Sequence, residues 1–135
     1  MLILAAVPCT AAATTVPCSS AWGSGWSTGG EDGFAFTCGD GGGTTSSKTG
    51  PSSGVGGSGP YVYAETSDRG HGSYFALTYD GSACSNTGLG VSTVAFHYHM
   101  YGATMGELRV TNAAGDAMWS LSGDQGNSWQ AATVG

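Results

Sequence analysis

Val91-Ser92-Thr93-Val94-Ala95-Phe96-His97-Tyr98-His99-Met100-Tyr101 is the longest patterned stretch of the chain. β-Branched and aromatic residues dominate it, and such stiff or flat side chains suit a pleated surface. At a period of two, Val94, Phe96, Tyr98 and Met100 point one way while Ala95, His97, His99 and Tyr101 point the other. The first set, being the more apolar, is expected to face a core. A strand of this kind needs partners, and the flanking sequence offers them at short intervals.

Upstream, residues 34–38 (FAFTC), 61–66 (YVYAET) and 73–79 (SYFALTY) read as strands; downstream, 107–111 (ELRVT), 117–121 (AMWSL) and 129–134 (WQAATV) do so. Asn112-Ala113-Ala114-Gly115-Asp116 between two of them is a hairpin loop, with Gly115 available for a positive φ. The chain holds 25 glycines and 4 prolines among its 135 residues, and each costs about 1 to 3 kcal/mol inside a helix. Long helices are excluded. Seven short strands separated by turn signals predict one all-β domain, an antiparallel β-sandwich. Residues 39–59, almost entirely Gly, Ser and Thr, are a long surface loop of that domain, since too little chain precedes them to form another.

Charge excludes several functions. Nine acidic residues face three basic ones, Lys48, Arg69 and Arg109, for a formal net charge of −6. Neutralising phosphates requires clustered cations, so nucleic acids and anionic membrane surfaces are not expected partners. No apolar run approaches the roughly 18 residues of a membrane span. Four cysteines, Cys9, Cys18, Cys38 and Cys84, occur without a C-x-x-C pair, which favours disulfides over zinc and an oxidising compartment. Four cysteines allow three pairings. Residues 1–17 stand ahead of the patterned region, as an extended segment with two Pro-led pieces ending in Cys9 and Cys18 or as a degenerate signal peptide without a basic start. The sandwich is expected over 18–135.

The run Phe96-His97-Tyr98-His99-Met100-Tyr101-Gly102, followed by Met105-Gly106-Glu107-Leu108-Arg109-Val110, closely resembles the "YHMYG…G.L.V" signature of the MAM domain. That extracellular module takes its name from meprin, a neuropilin-type receptor and a receptor tyrosine phosphatase. Thr49-Gly50-Pro51 with 59–67 (GPYVYAETS) resembles the family's "TGP…G.Y.Y.E.S" segment, and Met118-Trp119-Ser120 with 122–129 (SGDQGNSW) its "LW…G.QG..W" segment. Glu31-Asp32-Gly33-Phe34-Ala35-Phe36 resembles its acidic "DDFDW" stretch, with Ala35 and Phe36 departing from the usual Asp and Trp. The signature positions are thus Tyr98, His99, Met100, Tyr101, Gly102, Trp119, Gly126 and Trp129. The family pattern continues past them into an acidic "DIALDDI"-like segment that does not follow here, so a sandwich short of its last strand or strands, with an exposed edge, is expected.

The resemblance implies a jelly-roll-like, concanavalin-like sandwich and a non-catalytic role in adhesion or recognition at the cell surface. Its partner would be a protein ligand or a like module, and its place extracellular or on the ectodomain of a membrane protein. It also implies neighbours-first disulfides, Cys9–Cys18 and Cys38–Cys84. Some members hold a cation, calcium by its preference for oxygen, near the acidic segments. The matching carboxylates are Glu31, Asp32 and Glu65, fewer than the six to eight oxygens that calcium takes. No other cofactor is implied.

Other chemistry is weaker. His97 and His99 share a strand face but lack the further ligands that zinc needs, and are better read as structural. Glu65 and Glu107 are the only glutamates on expected strands, and a glycosidase would need them paired about 5 to 10 Å apart. No nucleophile elbow or phosphate loop occurs. Trp22, Trp26, Tyr74, Tyr79 and Tyr101 could form a platform for sugar rings, making the chain a carbohydrate-binding module that tethers a separate catalytic domain. Against that, sandwich cores depend on large aromatics, and Trp119 and Trp129 with the other tryptophans are the natural candidates to fill one.

Overall fold

The computed structural model describes residues 2–9, 12–15, 18, 25–67, 70, 72–81 and 90–135, the first two stretches by backbone alone. The strands among the described residues are β1 Leu2–Cys9, β2 Ala12–Thr15, β3 Trp26–Gly30, β4 Thr37–Gly39, β5 Tyr61–Tyr63, β6 Phe75–Tyr79, β7 Val94–His99, β8 Glu107–Thr111, β9 Ala117–Ser122 and β10 Gln130–Val134. Helix among the described residues is confined to two 3-10 turns, Glu31–Gly33 and Val55–Gly57. No helix among the described residues is long and apolar enough to cross a membrane.

All described pairings are antiparallel. One sheet runs β10-β7-β1-β5-β4, with β2 folded back on β1; β3 pairs β6, and β8 pairs β9. The register places Tyr98 opposite both Ile3 and Gln130, and Val62 opposite both Ile3 and Cys38. Leu2–Cys9, read from sequence only as extended chain, therefore lies between β7 and β5. The β3–β6 and β8–β9 pairs cover one face of the large sheet. Between the layers lie Phe96, Tyr98 and Met100 from β7 and its end, Val62 and Ala64 from β5 and just beyond, Val134 from β10, Trp26 from β3 and Leu108 from β8. This is the β-sandwich, and the inward set of β7 is the one its alternation picked out.

The β8–β9 turn is the expected hairpin. Gly115 takes φ 89°, and the Asn112 Oδ1 accepts the amides of Ala114 and Asp116 at 2.9 Å each. Strand β3 was not legible, because Trp26-Ser27-Thr28-Gly29-Gly30 has one large apolar residue and no alternation.

The opposite face of the large sheet is also covered. Residues 39–59 fold back over it, burying Pro51 and Gly54. The Tyr61 hydroxyl donates to the Gly42 carbonyl, and the Trp129 indole donates to the Ser53 carbonyl at 2.9 Å. Gly39 permits this packing, since a Cβ there would meet the Tyr61 ring at 2.8 Å. A loop whose composition suggests only solvent is thus a lid on an aromatic layer.

Candidate functional site

The signature segments converge on one end of the sandwich. The Met100 carbonyl accepts the Gln125 amide at 2.6 Å, and the Tyr101 carbonyl accepts the Gly50 amide at 3.1 Å. Asp124 Oδ1 accepts the Gly126 amide at 2.9 Å and the Gly102 amide at 3.4 Å. Gly102, at φ 138°, lies where a Cβ would press on Thr49 at 3.2 Å. Three separately read motifs, around Pro51, Met100 and Gln125, are one backbone knot.

Their side chains are occupied by packing. Tyr98 and Phe96 lie against Trp119 at 5.5 and 5.3 Å between ring centroids. Met100 is fully buried. His99, 2% exposed, points the other way, edge-on to Trp129 at 5.6 Å and Tyr101 at 6.3 Å. Its burial was not expected, because the cover comes from residues far away in sequence. The His99 Nε2 donates to Asn127 Oδ1 at 3.1 Å, which leaves Nδ1 as a buried lone pair with no partner among the described residues.

That arrangement has a sign in acid. Burial holds the His99 imidazole below its ordinary 6.5, because a proton on Nδ1 would put charge and an unsatisfied donor into an apolar layer. Above about pH 6.5 both folded and unfolded chains carry a neutral His99 and its stability contribution is complete. Below that value the unfolded chain takes up the proton first, so stability falls with pH by at most about 1.4 kcal/mol per unit from this group. Urea unfolding at pH 7.5 and 5.5 checks it: the loss on acidification is expected to shrink in His99→Gln.

The carboxylates matched to a calcium site are not gathered. Among the described residues no three Asp, Glu, His or Cys side chains are placed to hold a metal. Glu31 and Asp32 are exposed in the turn before β4. Glu65 Oε1 instead accepts the Ser67 amide at 2.9 Å, and Oε2 the Thr45 hydroxyl at 3.4 Å. Calcium therefore does not fit these three residues as they stand.

The disulfide pairing is corrected. Cys18 bonds Cys38 across a sequence separation of 20, with Cα atoms 5.2 Å apart, which rules out both Cys9–Cys18 and Cys38–Cys84. The Cys9 side chain and Cys84 lie outside the described residues. The structure takes Trp26 out of the expected aromatic platform. Trp26 is 6% exposed in the core and packs on Tyr79 at 5.0 Å, while Trp22 lies outside the described residues.

Beside the knot opens a cleft of about 420 Å³. Its walls are the loop from Thr44 to Pro51, the chain from Tyr63 to Ser67, Ser73 to Phe75, and Gly102 to Glu107. Glu65 and Glu107, separate in the sequence reading, both line it. Hydrogen bonds from Ser67 hold the Glu65 carboxyl below the usual range. The Glu107 carboxyl is lowered by Arg109, whose Nε and Nη2 reach it at 3.2 and 2.7 Å. A glycosidase keeps one carboxyl protonated as its acid, and here both are pushed toward the ionised form.

The MAM domain family model, meprin/A5/mu, matches residues 18–135. The chain is also similar to MAM domain-containing glycosylphosphatidylinositol anchor protein 1 of chicken (Gallus gallus), with 51% identity over 47 residues. That stretch is 30% of this chain and 5% of the relative. No solved structure matches.

Proposed function

The chain belongs to the MAM domain family, and from that premise we propose that it is a non-catalytic recognition module of the cell exterior, binding a protein ligand or a like module on a facing surface. The observation that carries this reading is the use made of the signature residues. Tyr98, His99, Met100, Trp119 and Trp129 are consumed by packing and hydrogen bonds, which leaves the outer surface and the cleft, rather than a reacting constellation, to act on other molecules. The Cys18–Cys38 bridge supports the compartment, since such bonds persist outside the reducing cytosol. The chicken relative, named for a glycosylphosphatidylinositol anchor, supports the same placement.

The chain made in an oxidising host and clustered on fluorescent beads should bind intact cells or beads bearing the same chain. Trypsin treatment of the cells should abolish that binding. Binding to neither surface would overturn the reading. So would cell binding that survives trypsin, because the ligand would then not be a protein.

A further inference from the structure

We propose that the cleft beside the knot is a binding site for a neutral saccharide of one or two rings. The inference goes beyond the recognition of a protein ligand and does not depend on it. A polyhydroxylated ligand needs acceptors, donors and a flat apolar surface together, and the cleft supplies all three. Glu65 offers acceptor-only oxygens held in place by Ser67 and Thr45, and a carboxylate oxygen turned to the cleft is the natural acceptor for a sugar hydroxyl. Lys48 offers donors only. Nine of the lining side chains carry hydroxyls, which can serve either way.

Tyr74 supplies the flat surface. At 59% exposure it is the most open of the large apolar side chains among the described residues, and it stands on the cleft wall with no core to fill. An aromatic face left in water at the lip of a polar cleft can stack against the C–H side of a pyranose ring. Lys48 adds a second sign of purpose. It sits at φ 61°, a conformation that favours glycine and is unfavourable for a side chain, in a turn closed by the Thr44 hydroxyl on the Thr49 carbonyl at 2.9 Å.

Charge selects the class of sugar. Among the described residues, Lys48 is one cation against the ionised Glu65, and Glu107 is already matched by Arg109, so these groups leave no net charge with which to attract a polyanion. The protein as a whole carries −6 and repels one. The volume lies within the usual range for small-ligand sites, enough for a short oligosaccharide end and not for a folded partner.

The test uses the whole chain, ¹⁵N-labelled, with its amide spectrum followed during titration with cellobiose, mannobiose and N-acetyllactosamine, and with a sulfated disaccharide and an uncharged hexapeptide as alternatives. At least one neutral disaccharide is expected to shift amides of residues 48–50, 65–67, 73–75 and 103–107 as a group. Tyr74→Ala and Glu65→Gln, one exposed and the other nearly isosteric, should each weaken that binding at least about tenfold without altering the rest of the spectrum. No response to any neutral sugar, shifts that map elsewhere, or unchanged affinity in both variants would overturn the proposal. Preferential binding of the peptide or the sulfated sugar in the cleft, or release of monosaccharide during the titration, would overturn it equally. Trypsin-sensitive adhesion is read in a separate assay, so either proposal can fail alone.

Discussion

Met100→Ala is expected to lower the free energy of unfolding by about 2 to 5 kcal/mol, a large part of the roughly 5 to 15 kcal/mol that a domain commands. Met100 is 0% exposed and belongs to the cluster that joins the layers. Two terms add: the transfer of the lost methylenes and sulfur, and the cavity left behind if the surroundings cannot close in. Here they are held apart. The Met100 carbonyl is fixed by the Gln125 amide, the preceding residue is wedged beside Trp129, and Gly102 two residues on abuts Thr49. A pinned backbone cannot collapse into the hole, so the cost should fall in the upper part of the range. Met100→Leu keeps most of the volume and should cost less than about 1.5 kcal/mol. Urea unfolding of the three proteins decides it; a loss below about 1 kcal/mol in the alanine variant would mean that the knot is not rigid.

How far the sequence could be read follows from where each constraint lies. The inward face of β7 was legible because period-two alternation is local: Phe96, Tyr98 and Met100 announce the core without reference to anything else. The turn at Asn112 to Asp116 was legible for the same reason. His99 was not, since its burial depends on Trp129 and on a Gly/Ser/Thr loop whose composition does not reveal what it covers. Strand β3 escaped because its neighbours β6 and the core, not its own pattern, make Trp26-Ser27-Thr28-Gly29-Gly30 extended. The cleft is the clearest case. Lys48, Glu65, Tyr74 and Glu107 come from four segments, and no spacing along the chain relates them.

Removal of the Cys18–Cys38 bridge is the second change expected to have a large effect, and it tests topology as well as stability. The bond ties the segment ahead of β3 to β4, the outermost strand next to β5, across a separation of 20 residues. Closing a loop of that length restricts the unfolded chain by about 3 kcal/mol in the chain-entropy account. The Cα separation of 5.2 Å lies within the range that disulfides span. Cys18→Ser with Cys38→Ser, changed together so that neither leaves a reactive thiol, should therefore lose about 2 to 4 kcal/mol, with β4 the first strand to lose amide protection because the lost bond is anchored on it and β5 is its one strand partner among the described residues. Peptide mapping of the parent chain under non-reducing conditions supplies the independent check. It should yield a Cys18–Cys38 peptide, and with that pair assigned, the remaining thiols of Cys9 and Cys84 can oxidise within one chain only to each other. A Cys9–Cys18 peptide would overturn the pairing, and would mean that the tie lies between the first two Pro-led pieces and leaves β4 held by its hydrogen bonds to β5 alone.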